Sequence, residues 1–142
     1  MIALASDHGG FDLKEEVKKH LEERGLEFKD FGTYDLNSCD YPDFGRAAAE
    51  AVASGECDRG IVICTTGIGI SIVANKVKGI RCALCSEKTT ARLTREHNDA
   101  NVLALGGGFV GPLLANEMVD IFLDTEFSGL EKHSRRISKI ED

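Results

Sequence analysis

The chain has 142 residues, enough for one domain with a buried core, and its 42% hydrophobic and 29% charged composition excludes a disordered polymer. A net charge of −7 argues against general binding to nucleic acid or anionic membrane, since both need a basic face, yet a few cations in a cleft suffice for a small anion. No segment approaches the ~18 apolar residues needed to cross a bilayer, and the start MIALASDHGG carries no signal-peptide pattern, so a cytoplasmic protein with reduced cysteines is expected.

Apolar runs alternate with helical patterns from one end to the other. Ile2–Ser6 is the first expected strand. Gly10–Arg24 reads as a helix, with Phe11, Leu13, Val17 and Leu21 on one face and Gly25 as its stop. Leu26–Phe31 is the second strand, Tyr34–Asp43 a polar loop, and Phe44–Ser54 an alanine-rich helix ended by Gly55. Gly60–Cys64 is a nearly unbroken apolar run, as a central parallel strand covered on both faces should be. A glycine-rich turn then opens a helix to Val77. Arg81–Cys85 is the fourth strand; Cys82 and Cys85, three apart, face opposite sides there and cannot share a disulfide or a metal. Glu87–His97 is helical, Val102–Leu105 is the fifth strand, and Pro112 opens a helix to Leu123. Lys132–Asp142 forms a short terminal helix. The order predicts an α/β fold: one domain, 1–142, with a doubly wound five-stranded parallel sheet, helices on both faces and a helical tail. Ligands bind such sheets at the carboxyl ends of the strands.

Four stretches carry chemistry. In Cys64-Thr65-Thr66-Gly67-Ile68-Gly69-Ile70-Ser71 a cysteine ends a buried strand and a glycine turn starts a helix. Free N–H groups at a helix start bind anions, and a thiolate beside them is able to remove a proton next to a carbonyl. The alternative is a structural cysteine before an ordinary turn. Asp7-His8-Gly9-Gly10 sets an acid and a base at another strand end, or simply caps a helix. His97-Asn98-Asp99 offers a proton-transfer group or a polar turn. Lys132-His133-Ser134-Arg135-Arg136 is the densest basic cluster, able to clamp a phosphate or to serve as a solvated face. The first three stretches are expected at the ligand-binding edge of the sheet. The histidines show no metal-ligand spacing.

These stretches resemble the ribose-5-phosphate isomerase B family, which includes the galactose-6-phosphate isomerase subunits. The resemblance covers SDHGGFDLK, DFGTYD, DYPDFG, CDRGIVICTTGIGISIVANKVKGIR, REHNDANVLALG and KHSRRISKI. It implies a Rossmann-like or flavodoxin-like fold and homodimers, or dimers of dimers, whose active sites are shared between subunits. It implies Cys64 as the proton-transferring base and His97 as the group that opens the sugar ring. Thr65, Thr66, Gly67, Ile68 and Gly69 would line the sugar and hold the enediolate, with Thr66 counted among the catalytic groups. Asp7 and His8 would contact the sugar and its phosphate, Asn98 would bind the sugar with Tyr41 near it, and Lys132 and Arg136 would meet the phosphate. A second branch of the family carries a glutamate base where this chain has Ile70, so the cysteine branch is the match.

Three positions depart from the pattern: Thr65 replaces a usual glycine, Gly108 a usual phosphate arginine, and Lys132 a second arginine. Lysine keeps the charge and loses the bidentate fork. Backbone N–H groups of Gly106–Gly108 are candidates to replace the lost arginine as an anion nest, and Arg135 is another. The expected activity is interconversion of an aldose phosphate and a ketose phosphate, most simply ribose 5-phosphate and ribulose 5-phosphate, without cofactor or metal. The same reaction on a four- or six-carbon sugar phosphate, a non-catalytic phosphate-binding module and a thiol redox protein are the alternatives.

Overall fold

A computed structural model describes residues 1–142. In chain order the elements are β1 (Ile2–Ser6), a 3-10 turn (His8–Gly10), α1 (Phe11–Glu23), β2 (Phe28–Asp30), α2 (Tyr41–Ala53), β3 (Arg59–Cys64), α3 (Ile68–Asn75), β4 (Cys82–Leu84), α4 (Lys88–Asn98), β5 (Val102–Gly106), α5 (Pro112–Asp124) and α6 (Glu131–Glu141). The five strands form one parallel sheet in the order β2-β1-β3-β5-β4. The chain steps outward from β1 to β2, then crosses back over β1 to β3. The direction of winding therefore reverses between β1 and β3, and a crevice opens at their carboxyl ends.

The pleat sorts the core. Ile2 and Leu4 face α1, α4 and α5 and pack with Val17, Leu21, Ala91, Met118 and Phe122. Ala3 and Ala5 face the opposite side and pack with Ala48, Ala49, Val52, Ile70 and Ala74 of α2 and α3. Cys85 joins the first of these cores and Cys82 lies against the second, on opposite faces as their spacing predicts. α6 packs outside the layers, against α4.

The sequence and the structure differ at α2. The helix begins at Tyr41, inside the stretch expected to be a loop. Pro42 sits in its first turn, where a missing N–H costs nothing and the fixed φ favours the helix, and Asp40 precedes it in extended conformation. This brings Tyr41 to the mouth of the crevice. α4 is capped at its C-terminus by Asp99, which adopts φ 45° and is held there by Arg95, whose Nη1 donates to Asp99 Oδ1 at 2.7 Å.

A buried ion pair fixes the segment after β2. Lys14 of α1 is fully buried; its Nζ donates to Asp30 Oδ1 at 2.7 Å and to the Thr33 carbonyl. Lys18 reaches Asp30 Oδ2 at 3.1 Å, and the Gly32 N–H donates to Asp30 Oδ1 at 2.9 Å. Burial works to raise the Asp30 pKa, but the hydrogen bonds from Lys14, Gly32 and Lys18 outweigh it and hold the carboxyl below its usual range. Such a carboxylate adds stability that is complete above its unfolded pKa and is lost as pH falls through the lower folded value. Asp30→Asn leaves the Lys14 charge buried and should cost about 3 kcal/mol at neutral pH. Urea titrations of both proteins check this: the difference between them should shrink below about pH 4. A difference that stays constant into acid would assign the effect to packing instead.

Candidate active site

β3 delivers Cys64 as its last residue, buried against α2 and α3. The chain then reverses through Gly67, whose φ is 78°; a Cβ there would lie 2.6 Å from Leu84 Cδ1 and 2.8 Å from the Leu105 carbonyl carbon. This turn points the Gly67 N–H at Cys64 Sγ, at 3.2 Å. A sulfur accepts such a bond more strongly as thiolate than as thiol. Thr66 Oγ1 accepts the Ile68 N–H at 3.1 Å, leaving the hydroxyl proton free to donate. The N–H groups of Thr66, Gly69 and Ile70 have no acceptor within the chain, so the start of α3 presents several donors beside the thiol. The Tyr41 ring lies directly over Gly69, where a Cβ would stand 2.6 Å from Tyr41 Cζ.

Asp7, Tyr41, Cys64, Thr65, Thr66, Ile68 and Gly69 line one open cleft of about 380 Å³. Asp7 is buried at the end of β1, and its carboxylate also caps the following turn, accepting the Gly10 N–H at 3.0 Å. His8 follows it. The Cys39 N–H donates to His8 Nδ1 at 3.2 Å, which leaves Nε2 to carry the ring proton. Cys39 carries no signal in the sequence: its contribution is a backbone amide brought back by the loop after β2.

The other predicted residues meet elsewhere. His97, Asn98, Lys132, His133 and Arg136 surround a second cavity of about 500 Å³ between the end of α4 and α6. Lys132 and Arg136 make no ion pair within the chain, whereas Arg135 is bound to Glu131 at 2.6 Å and does not line this cavity. His133 is buried, its ring centroid 4.5 Å from that of His97. The sequence placed His133 in a basic cluster and gave it no role of its own.

His97-Asn98-Asp99 does not lie at the carboxyl edge, contrary to the expectation. Arg81, just before β4, donates through Nε to the Asn98 carbonyl at 2.8 Å and through Nη2 to the Asp99 carbonyl at 2.9 Å. That fixes the segment at the amino ends of the strands, because α4 must run back down the sheet before β5 starts. Cys64 pairs in register with Gly106 at the far end of β5, four residue steps beyond Val102, or about 13 Å of strand. Within one chain the thiol cleft has no lining cation and the cationic cavity has no lining thiol.

The glycine run after β5 is not a free anion nest. The Gly107 N–H donates to the Cys64 carbonyl at 2.8 Å and the Gly108 N–H to the Thr65 carbonyl at 2.9 Å, while Phe109 and Val110 both donate to the Gly106 carbonyl. These donors are spent on bracing the turn that carries the thiol. The Thr65 side chain occupies the gap between the two neighbouring turns. A Cβ at residue 9 would overlap Thr65 Oγ1, and one at residue 108 would stand 3.1 Å from Thr65 Cγ2 and 3.1 Å from its carbonyl oxygen.

A doubly wound sheet with its crevice at the reversal of strand order defines an α/β protein of the small-molecule-binding class. Comparison with known proteins narrows this. The family model for ribose/galactose isomerases matches residues 2–140. Ribose-5-phosphate isomerase B of Escherichia coli (strain K12) is 50% identical over 139 residues, covering 98% of this chain and 93% of that one. Galactose-6-phosphate isomerase subunit LacB of Clostridium acetobutylicum is 42% identical over 142 residues, covering 100% and 82%. The solved structure of Clostridium thermocellum ribose-5-phosphate isomerase B superposes with a TM-score of 0.96 at 58% identity, covering 99% and 94%. The chain belongs to the ribose/galactose isomerase family. It is a sugar-phosphate isomerase, an enzyme that interconverts an aldose and a ketose.

Proposed function

We propose that this enzyme interconverts ribose 5-phosphate and ribulose 5-phosphate, with Cys64 as the base, in a homodimer whose two active sites each combine the thiol cleft of one subunit with the cationic cavity of the other. The observation that carries this reading is the division of the machinery: the proton-transfer groups and the phosphate-binding cations occupy opposite edges of the sheet. His97 of the second copy opens the furanose ring, Asn98 holds the sugar, and Lys132 and Arg136 hold the phosphate. Asp7, the Nε2–H of His8 and Tyr41 fix the sugar hydroxyls. The Cys64 thiolate takes the proton from C2. The electron pair moves into the C1–C2 bond and the carbonyl electrons move onto O1, giving an enediolate. The Thr66 hydroxyl and the free N–H groups at the start of α3 stabilise that charge. The Cys64 thiol, whose proton exchanges with solvent in the open cleft, delivers a proton to C1, the O2 proton moves to O1, and C2 becomes the carbonyl. Every group in this scheme is a side chain or amide of the protein.

Turnover in deuterium oxide tests the reading. Solvent deuterium should enter C1 of ribulose 5-phosphate in the presence of the enzyme. A folded protein that binds the sugar phosphate without exchange would be a binding module instead.

The Thr65–Gly108 geometry favours one second reading, the same reaction on a sugar of different chain length, in keeping with the name of the Clostridium acetobutylicum relative. The two departures from the family pattern are neighbours in space, since the Thr65 methyl stands 3.1 Å from where a side chain at 108 would begin. Gly108→Arg alone should therefore improve the KM for ribose 5-phosphate little, because Thr65 obstructs it. Thr65→Gly with Gly108→Arg should lower KM about tenfold or more, the value of one charge-assisted phosphate contact, with kcat nearly unchanged. Steady-state kinetics on five- and six-carbon aldose phosphates check this. A double variant that gains nothing on ribose 5-phosphate would place its phosphate away from residue 108 and support the other substrate.

A further inference from the structure

We propose that His133 is a positioning residue for His97, a buried platform that holds the His97 ring in the orientation needed to open the sugar. The inference rests on the ring-opening role given to His97 above. His97 lies exposed at the last turn of α4, and its ring makes no hydrogen bond within the chain. An exposed histidine samples several rotamers, and ordering one costs conformational entropy. The contact that restrains this one is aromatic: the His133 ring, 4.5 Å away centroid to centroid and tilted by 38°.

His133 is itself held on several sides. It is only 8% exposed. Its Nδ1 lies 2.7 Å from Ser128 Oγ, and the Phe127 ring lies 6.5 Å from its own. Ser128 is anchored in turn: its N–H donates to the Glu96 carbonyl at 3.1 Å, and its Oγ accepts the Leu130 N–H at 3.2 Å. The support thus closes back onto α4 one residue before His97. Burial, together with His97, Lys132 and Arg136, lowers the His133 pKa below its usual value, outweighing the opposing effect of Glu96. That shift favours the neutral ring, which stacks on His97.

The test compares two reactions of one enzyme. Conversion of ribose 5-phosphate requires ring opening. Exchange of the C1 proton of ribulose 5-phosphate with deuterium oxide does not, because that ketose has no ring to open. His133→Ala should lower kcat on ribose 5-phosphate about tenfold, the cost of a loosely held catalytic group, with KM and the ribulose 5-phosphate exchange rate within twofold of wild type. His133→Phe keeps a stacking ring and should retain most of that kcat. In proton NMR the His97 ring signals should lose their ring-current shift in the alanine variant and keep one in the phenylalanine variant. An increase in KM alone would make His133 a phosphate ligand, and an equal loss in both reactions would make it merely structural; either overturns the proposal, as does an unchanged kcat. Ser128→Ala, which leaves both rings in place, should lower kcat in the same direction if His133→Ala fails to fold. Absence of exchange by the wild-type enzyme would instead refute the substrate reading, while the NMR signature would still report on the stack.

Discussion

Cys64→Ala should lower isomerisation by about 10²–10⁴-fold while the protein stays folded, because the substitution removes the proposed base and little else. Cys64 packs among small residues of the α2–α3 core, and an alanine fits the same space. The structural loss is one hydrogen bond, from the Gly67 N–H to the sulfur, a matter of about 1 kcal/mol. The donors at the start of α3 and the cations of the second cavity are untouched, so the variant should still bind sugar phosphate, as calorimetry would show. Deuterium entry into the substrate should fall with turnover, since both need the same proton acceptor. Near wild-type exchange in the folded variant would remove Cys64 from the mechanism and send the search for a base to Asp7 in the same cleft.

Mixing two inactive variants should restore activity. In the proposed dimer each site takes its thiol from one subunit and its histidine from the other. A hybrid of Cys64→Ala with His97→Asn then has one site bearing both substitutions and one bearing neither. After free exchange of subunits in equal amounts about half of the dimers are hybrids, each with half of its sites active, so recovery should approach about a quarter of wild-type activity. Native mass spectrometry confirms whether hybrids form. Hybrids without activity would mean that both groups act from the same subunit or that one role is misassigned.

The sequence discloses the sheet because its three central strands, β1, β3 and β5, are apolar runs closed by turns that contain glycine. The α/β class, both faces and the terminal helix follow from that pattern. Periodicity is blind to a helix start written with polar residues, so α2 begins three residues before its expected start at Phe44. Cys64 and its donors are legible because they adjoin in the chain. His97 is legible as a residue but not as a place. A motif that precedes a strand belongs to the opposite edge from one that follows a strand, and reading both as one edge confuses the two ends of a parallel sheet. The Thr65–Gly108 contact and the His133 platform join residues far apart in the chain, and no local pattern records them.

The bracing of the thiol turn has a consequence for dynamics. The carbonyls of Cys64 and Thr65 are tied to the amides of Gly107 and Gly108, so the loop that carries the Cys64 thiol is latched to the adjacent turn by two hydrogen bonds. Its order is settled when the chain folds and not when the ligand arrives. The amide hydrogens of Gly107 and Gly108 should then exchange slowly in the free enzyme, although Gly108 lies at the surface, and saturation with a sugar phosphate should slow them little further. Release of the latch would require the carboxyl ends of β3 and β5 to part. The reactive edge should therefore loosen only in openings that also disrupt the centre of the sheet, coupling the lifetime of the catalytic geometry to that of the fold.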